Sequence, residues 1–161
     1  MRRLKSLFWA EEASELVEFA LAAGVFFALI FGVIEFCLVI YAASFVAFAA
    51  EQGTRYAMVR GSDWTSSCAS ASSYGCQATA TNVQNYVLSL PHPGINLTSS
   101  DITPTWLGTT AAGASAACTT DHYAQGCQVK VVVSYSFGLH IPFVPATSIP
   151  LTSTSIETIQ D

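Results

Sequence analysis

From Phe19 to Ala50 the chain reads FALAAGVFFALIFGVIEFCLVIYAASFVAFAA, 32 residues in which Glu35 is the one ionisable group. Crossing a bilayer takes about 20 predominantly apolar residues, so this run is long enough to span and to continue beyond. It contains no proline, and Ala, Leu and Phe dominate, which predicts an unbroken helix. A helix from Ser14 to Arg60 would measure about 70 Å at 1.5 Å per residue. It must project out of the membrane.

The flanks set an orientation. Arg2, Arg3 and Lys5 precede the run, and under the positive-inside rule they keep the N-terminus in the cytoplasm. The portion C-terminal to the helix is then extracytoplasmic, on a single-pass membrane protein. A secretory signal cut near Ala47-Phe48-Ala49 is the competing reading. An ordinary signal core is about 7 to 15 residues, whereas this run is twice that and carries a carboxylate.

Composition divides the chain at the same place. Across 161 residues, 52% are hydrophobic and only 11% charged, and mean hydropathy is +0.45. From Gly61 onward, Lys130 alone faces Asp63, Asp101, Asp121, Glu157 and Asp161, a net charge of −4 that argues against nucleic acid as a partner. Three segments are expected: a basic leader over 1–13, a long transmembrane helix over 14–60, and a small module over 61–161.

Within that module, Val83, Tyr86, Val87 and Leu90 form one apolar stripe, predicting a short helix in Gln77–Leu90 that Pro91-His92-Pro93-Gly94 ends. Val129, Val131, Val133, Tyr135 and Phe137 alternate as a strand does. Ile102–Leu107 and Ile149–Ile159 are weaker strand candidates, and Pro104 assigns the first of them to an edge. The expected class is α+β, with a long N-terminal hydrophobic helix followed by a short helix and an antiparallel sheet of about three strands.

Cys37 lies in the apolar run, while Cys68, Cys76, Cys118 and Cys127 lie in the polar part. Four cysteines in a small module suggest two disulfides formed in an oxidising compartment. Short separations favour Cys68 with Cys76 and Cys118 with Cys127, and the other two connectivities stay open. Zinc pairs are usually separated by about two to four residues, against seven and eight here. No metal or cofactor is expected. His92, His122 and His140 are not spaced as a metal pair, and no nucleophile elbow, phosphate loop or dinucleotide fingerprint occurs, so no enzyme is expected either. Asp121-His122 reads as a solvated loop pair. Trp64 and Trp106 flank polar turns, and both are expected to pack onto the small core.

Ser14-Glu15-Leu16-Val17-Glu18-Phe19-Ala20-Leu21 resembles the VEFAL signature at the start of TadE-like minor pilins, pseudopilins of the tight-adherence or Flp pilus system. Gly32-Val33-Ile34-Glu35 and Gly53-Thr54-Arg55-Tyr56-Ala57, with Arg60-Gly61, extend the likeness over residues 10–61. The resemblance implies a structural role in pilus biogenesis and cleavage by a prepilin peptidase between Ala13 and Ser14. Ala13 stands where such peptidases usually meet glycine. Implied partners are the major pilin, other minor pilins and the inner-membrane assembly platform.

Beside the resemblance stands a physical reading of the same residues. A new amino group on Ser14 could be neutralised by Glu18 of an adjacent subunit in a low-dielectric assembly. Ala20, Gly24, Ala28 and Gly32 recur every fourth position, a small-residue ridge suited to helix–helix contact in membranes. Glu35, near the middle of the apolar run, is expected to be a buried carboxylate that protonates or pairs. The alternative function is a signal-anchored extracytoplasmic binding module that uses the helix only as a tether.

Overall fold

The computed structural model describes residues 2–64, 74–140 and 145–160, with side chains described from Ser14 onward. Helix α1 spans Arg2–Met58 without a break. It is succeeded by α2 (Ala80–Ser89), a 3-10 turn (Ser99–Asp101), β1 (Ile102–Thr110), β2 (Gly113–Ala114), α3 (Ala116–Thr120), β3 (Cys127–Leu139) and β4 (Thr147–Thr158). The strands form an antiparallel sheet in the order β2-β1-β3-β4. The α+β expectation holds, and the sheet has a fourth strand, the two-residue β2. Two compact units are distinguished, one of Met1–Val39 with Gly138–Ser148 and one of Ile40–Phe137 with Ile149–Asp161.

In the first unit, the helix offers its large apolar side chains to the surroundings. Phe19, Leu21, Val25, Phe26, Phe27, Leu29, Val33 and Phe36 are all more than half exposed. None of the apolar window of this helix is buried within the chain.

The second unit holds the core. Along α1, Ala42, Phe45, Val46, Ala49, Ala50, Thr54 and Ala57 are buried, at the three- and four-residue spacing of one helix face. Against them lie Val129, Val131 and Val133 of β3, buried at every second position as the pleat requires, with Val83 and Val87 of α2, Ile102 and Ile159. The small residues of α1 allow that approach. A Cβ added at Gly53 would stand 3.1 Å from both Val131 Cγ1 and Val87 Cγ2, so helix, sheet and α2 approach one another closely at this glycine.

Thr54 is the one buried polar side chain among the described residues. Its hydroxyl lies 3.2 Å and 2.9 Å from the carbonyls of Ala50 and Glu51, and 2.8 Å from Ser155 Oγ, which ties β4 to the helix. A buried hydroxyl with those partners avoids the desolvation penalty it would otherwise carry. The end of α1 is closed by backbone: Gln160 N–H donates to Met58 O at 2.9 Å, and Ile159 N–H donates to Cys127 O at 2.8 Å.

Helix α2 begins at Thr79, whose side chain accepts from Asn82 N–H at 3.3 Å as an N-cap. It stops at Leu90, before the prolines. Pro104 sits where a strand tolerates it. Ile102 N–H donates to Ser99 O, and Ile102 O accepts from Gln84 Nε2 at 3.0 Å, so both point away from β3. Alternation then turns the backbone groups of residue 104 the same way, and its missing N–H removes nothing from the ladder. Further on, pairing shifts from Trp106↔Val129 to Thr110↔Cys127, four steps on β1 against two on β3. Gly108, at φ 67°, occupies this bulge.

Candidate functional site

Two regions of the chain have chemistry or surface to offer: the exposed half of α1, and a groove beside β1.

The groove is lined by Pro104–Gly108, Cys118, Thr119 and His122, and measures about 420 Å³. Its wall is aromatic. Trp106 meets Tyr123 edge-on, ring centroids 4.9 Å apart, and His122 packs 4.2 Å from Tyr123. Asp121 Oδ1 accepts from Tyr123 N–H at 3.0 Å, forming a local turn. The Asp121-His122 pair is thus occupied in shaping a loop against Trp106, and Cys118, the cysteine in the lining, is held in a disulfide with Cys127. Trp106 packs on the core, as expected, and Trp64 lies under the Arg60 guanidinium, 5.4 Å from it, which in turn sits 4.2 Å over Tyr56. Among the described residues no group of three or more His, Cys, Asp or Glu could hold a metal ion.

Burial, and secondly the Asp121 carboxylate, push the Tyr123 phenol above its ordinary 10.0. A raised folded-state value makes this contribution full below the unfolded value and lost as pH climbs through the folded one. Melting temperature should therefore fall above pH 10.0 more steeply in the parent than in Tyr123→Phe, and melting curves across that alkaline range check it.

Cys118 and Cys127 are joined by a disulfide, Cα atoms 5.5 Å apart, pinning α3 to the start of β3. Cys76 is also disulfide-bonded, and Cys68, its expected partner, lies outside the described residues. Cys37 is a free, exposed thiol on α1.

The exposed half of α1 carries the other residues singled out from sequence. Ala13 is within the helix, its side chain outside those described; Ser14, Glu18, Ala20 and Gly24 are exposed, and Ala28, Gly32 and Glu35 are half-exposed. The ridge from Ala20 to Gly32 rises about 18 Å and drifts about 40° around the helix per four residues. A Cβ built at Gly24 or Gly32 meets nothing within 4 Å. Glu35 Oε2 is shielded and has no hydrogen-bond partner among the described residues.

The burial pattern also refines where Glu35 stands. The apolar run reaches Ala50, but from Ala42 onward one face of α1 is packed into the core of the second unit, so the stretch with no buried face ends at Tyr41. Measured from Phe19, Glu35 is about 24 Å along an exposed length of about 33 Å. It is three-quarters of the way along that length, past the middle position read from composition.

These residues define a class: an α+β protein whose core is built on the second half of one long helix, the first half being apolar and uncovered. Among the described residues, Ser14–Met58 is the one helix long and apolar enough to cross a membrane. Residues 14–55 match the family described as TadE-like protein. That segment carries the likeness to TadE-like proteins, which supports a protein associated with the Tad pilus system. No curated protein and no solved structure matches the chain.

Proposed function

We propose that this chain is a minor pilin, or pseudopilin, that assembles through α1 and supports biogenesis of an adhesive Tad/Flp pilus. The observation that carries this reading is the pair of glycines in the uncovered half of the helix. Glycine in a helix interior costs about 1 kcal/mol relative to alanine. Gly53 has an internal reason, the contact with Val131 and Val87. Gly24 and Gly32 have none among the described residues, and with Ala20 and Ala28 they form a ridge that a neighbouring helix can approach closely.

The protein would sit in the inner membrane, N-terminus cytoplasmic, the cysteine-bearing module outside. Prepilin peptidase would cut between Ala13 and Ser14, and Glu18 would neutralise the freed ammonium of an adjacent subunit. Major pilin, other minor pilins and the assembly platform are its partners in this account. Leader removal is tested by N-terminal sequencing of membrane-extracted protein, which should begin at Ser14.

A Gly24→Leu, Gly32→Leu double variant tests the ridge. A Cβ at either position meets nothing within 4 Å among the described residues, so melting of the extracted protein should stay close to the parent's. Pilus assembly, scored by sheared-filament yield, should be lost. Normal filament yield from this variant would remove the ridge from the mechanism and leave α1 as a tether.

A further inference from the structure

From Ala42 onward one face of α1 is packed into the core, so Tyr41 ends the stretch with no buried face, and the turn after α2 reaches the helix at that level. Tyr41 Oη donates to Pro93 O at 3.4 Å, and the His92 ring lies 5.8 Å from Phe45. The turn is held in shape by a contact between His92 Nδ1 and Leu90 O. Pro91, Pro93 and Gly94 are nevertheless exposed, as are Tyr41 and Phe48.

We propose that the turn Pro91–Gly94, together with Tyr41, is a second membrane-contacting surface, lying in the headgroup layer of the bilayer that α1 crosses. It rests on the reading of α1 as the anchor. Phe19 to Tyr41 is 23 residues, about 33 Å of helix, against a hydrocarbon layer of about 30 Å. Placing the uncovered apolar stretch in hydrocarbon therefore brings Tyr41 to its outer boundary, and the hydrogen bond to Pro93 carries the turn there with it. The chemistry of the turn suits that depth. It has two proline rings and an imidazole, no carboxylate to be repelled by anionic lipid, and backbone carbonyls that headgroup water can solvate. Tyrosine with its ring toward hydrocarbon and its hydroxyl outward is the side chain favoured at this boundary.

Nitroxide depth measurement in phosphatidylcholine–phosphatidylglycerol vesicles tests the assignment on the full chain. The label is placed at native Cys37, and in a Cys37→Ser background at Pro93→Cys, which keeps the carbonyl that Tyr41 uses, or at Ala112→Cys on the exposed β1–β2 turn. Cys37 should be open to oxygen and closed to a water-soluble nickel chelate. The Pro93 position should show a several-fold loss of nickel accessibility relative to position 112, and Pro91→Cys should repeat it. If positions 93 and 91 match position 112 while Cys37 reads as hydrocarbon, the surface assignment is overturned and the anchor stands. If Cys37 itself is freely reached by nickel, the anchor reading fails and this inference goes with it.

Discussion

Gly53→Leu is expected to prevent the second unit from folding, or to leave it several kcal/mol weaker and loosely packed. The position is the meeting point of three elements. Even a single added carbon would stand 3.1 Å from one methyl on Val131 and 3.1 Å from one on Val87, both fully buried. A leucine adds three more carbons beyond that point, and neither valine has solvent to retreat into. Overpacking of this kind costs about 1 to 3 kcal/mol where neighbours can adjust, and more where they cannot. Gly53→Ala separates the terms. Its methyl needs only a few tenths of an ångström of relief, and helix propensity returns about 1 kcal/mol, so the alanine variant should melt close to the parent. Thermal melts of the three proteins in the same detergent decide the matter. A leucine variant that melts with the parent would mean that helix, sheet and α2 do not meet at this residue.

Whether a feature can be read from sequence depends on whether it is written locally or assembled from distant parts. Helix α1 was legible because 32 apolar residues without proline have few other solutions. Strand β3 was legible for the same local reason, since Val129, Val131 and Val133 alternate in the sequence as they do in the core. Short elements escaped. Two-residue β2 and five-residue α3 are too brief for any period to register, and each exists because β1 and the Cys118–Cys127 bond hold it there. The role of Gly53 could not be read at all, because Val87 and Val131 are 34 and 78 residues away along the chain. Glu35 shows the same limit at the candidate site. Composition sees one apolar run through Ala50, whereas packing of one helix face into the protein core begins at Ala42, and that division is a property of tertiary packing. Gly24 and Gly32 were noticed as small residues at regular spacing. Only the structure distinguishes them from Gly53, since a Cβ at either meets nothing within 4 Å among the described residues.

Breaking the Cys118–Cys127 bond is expected to destabilise the second unit by about 2 to 4 kcal/mol. The bond closes a short loop, with a sequence separation of 9, that contains Asp121, His122 and Tyr123. Without it the unfolded chain gains freedom, and α3 is left with only five residues and its packing on β1 to hold its place. Little else can compensate, because this core relies on alanines and valines, with few large side chains fully buried. Both sulfurs belong to buried residues, 1% and 0% exposed. Mild reductant should therefore act slowly on the folded protein and faster once heating opens it. A Cys118→Ala, Cys127→Ala double variant avoids leaving a lone thiol, and each buried alanine adds a small cavity cost in the same direction. For a unit of roughly 100 residues, each kcal/mol lowers the melting temperature by about 4 to 8 °C, so the fall should be large enough to read in a single scan. The Trp106–Tyr123 contact supplies a local reporter, since near-ultraviolet dichroism from that pair should weaken before the sheet itself melts. A double variant that melts with the parent and keeps that signal would show that the loop is held by its aromatic packing alone, and that the disulfide adds no constraint the fold needs.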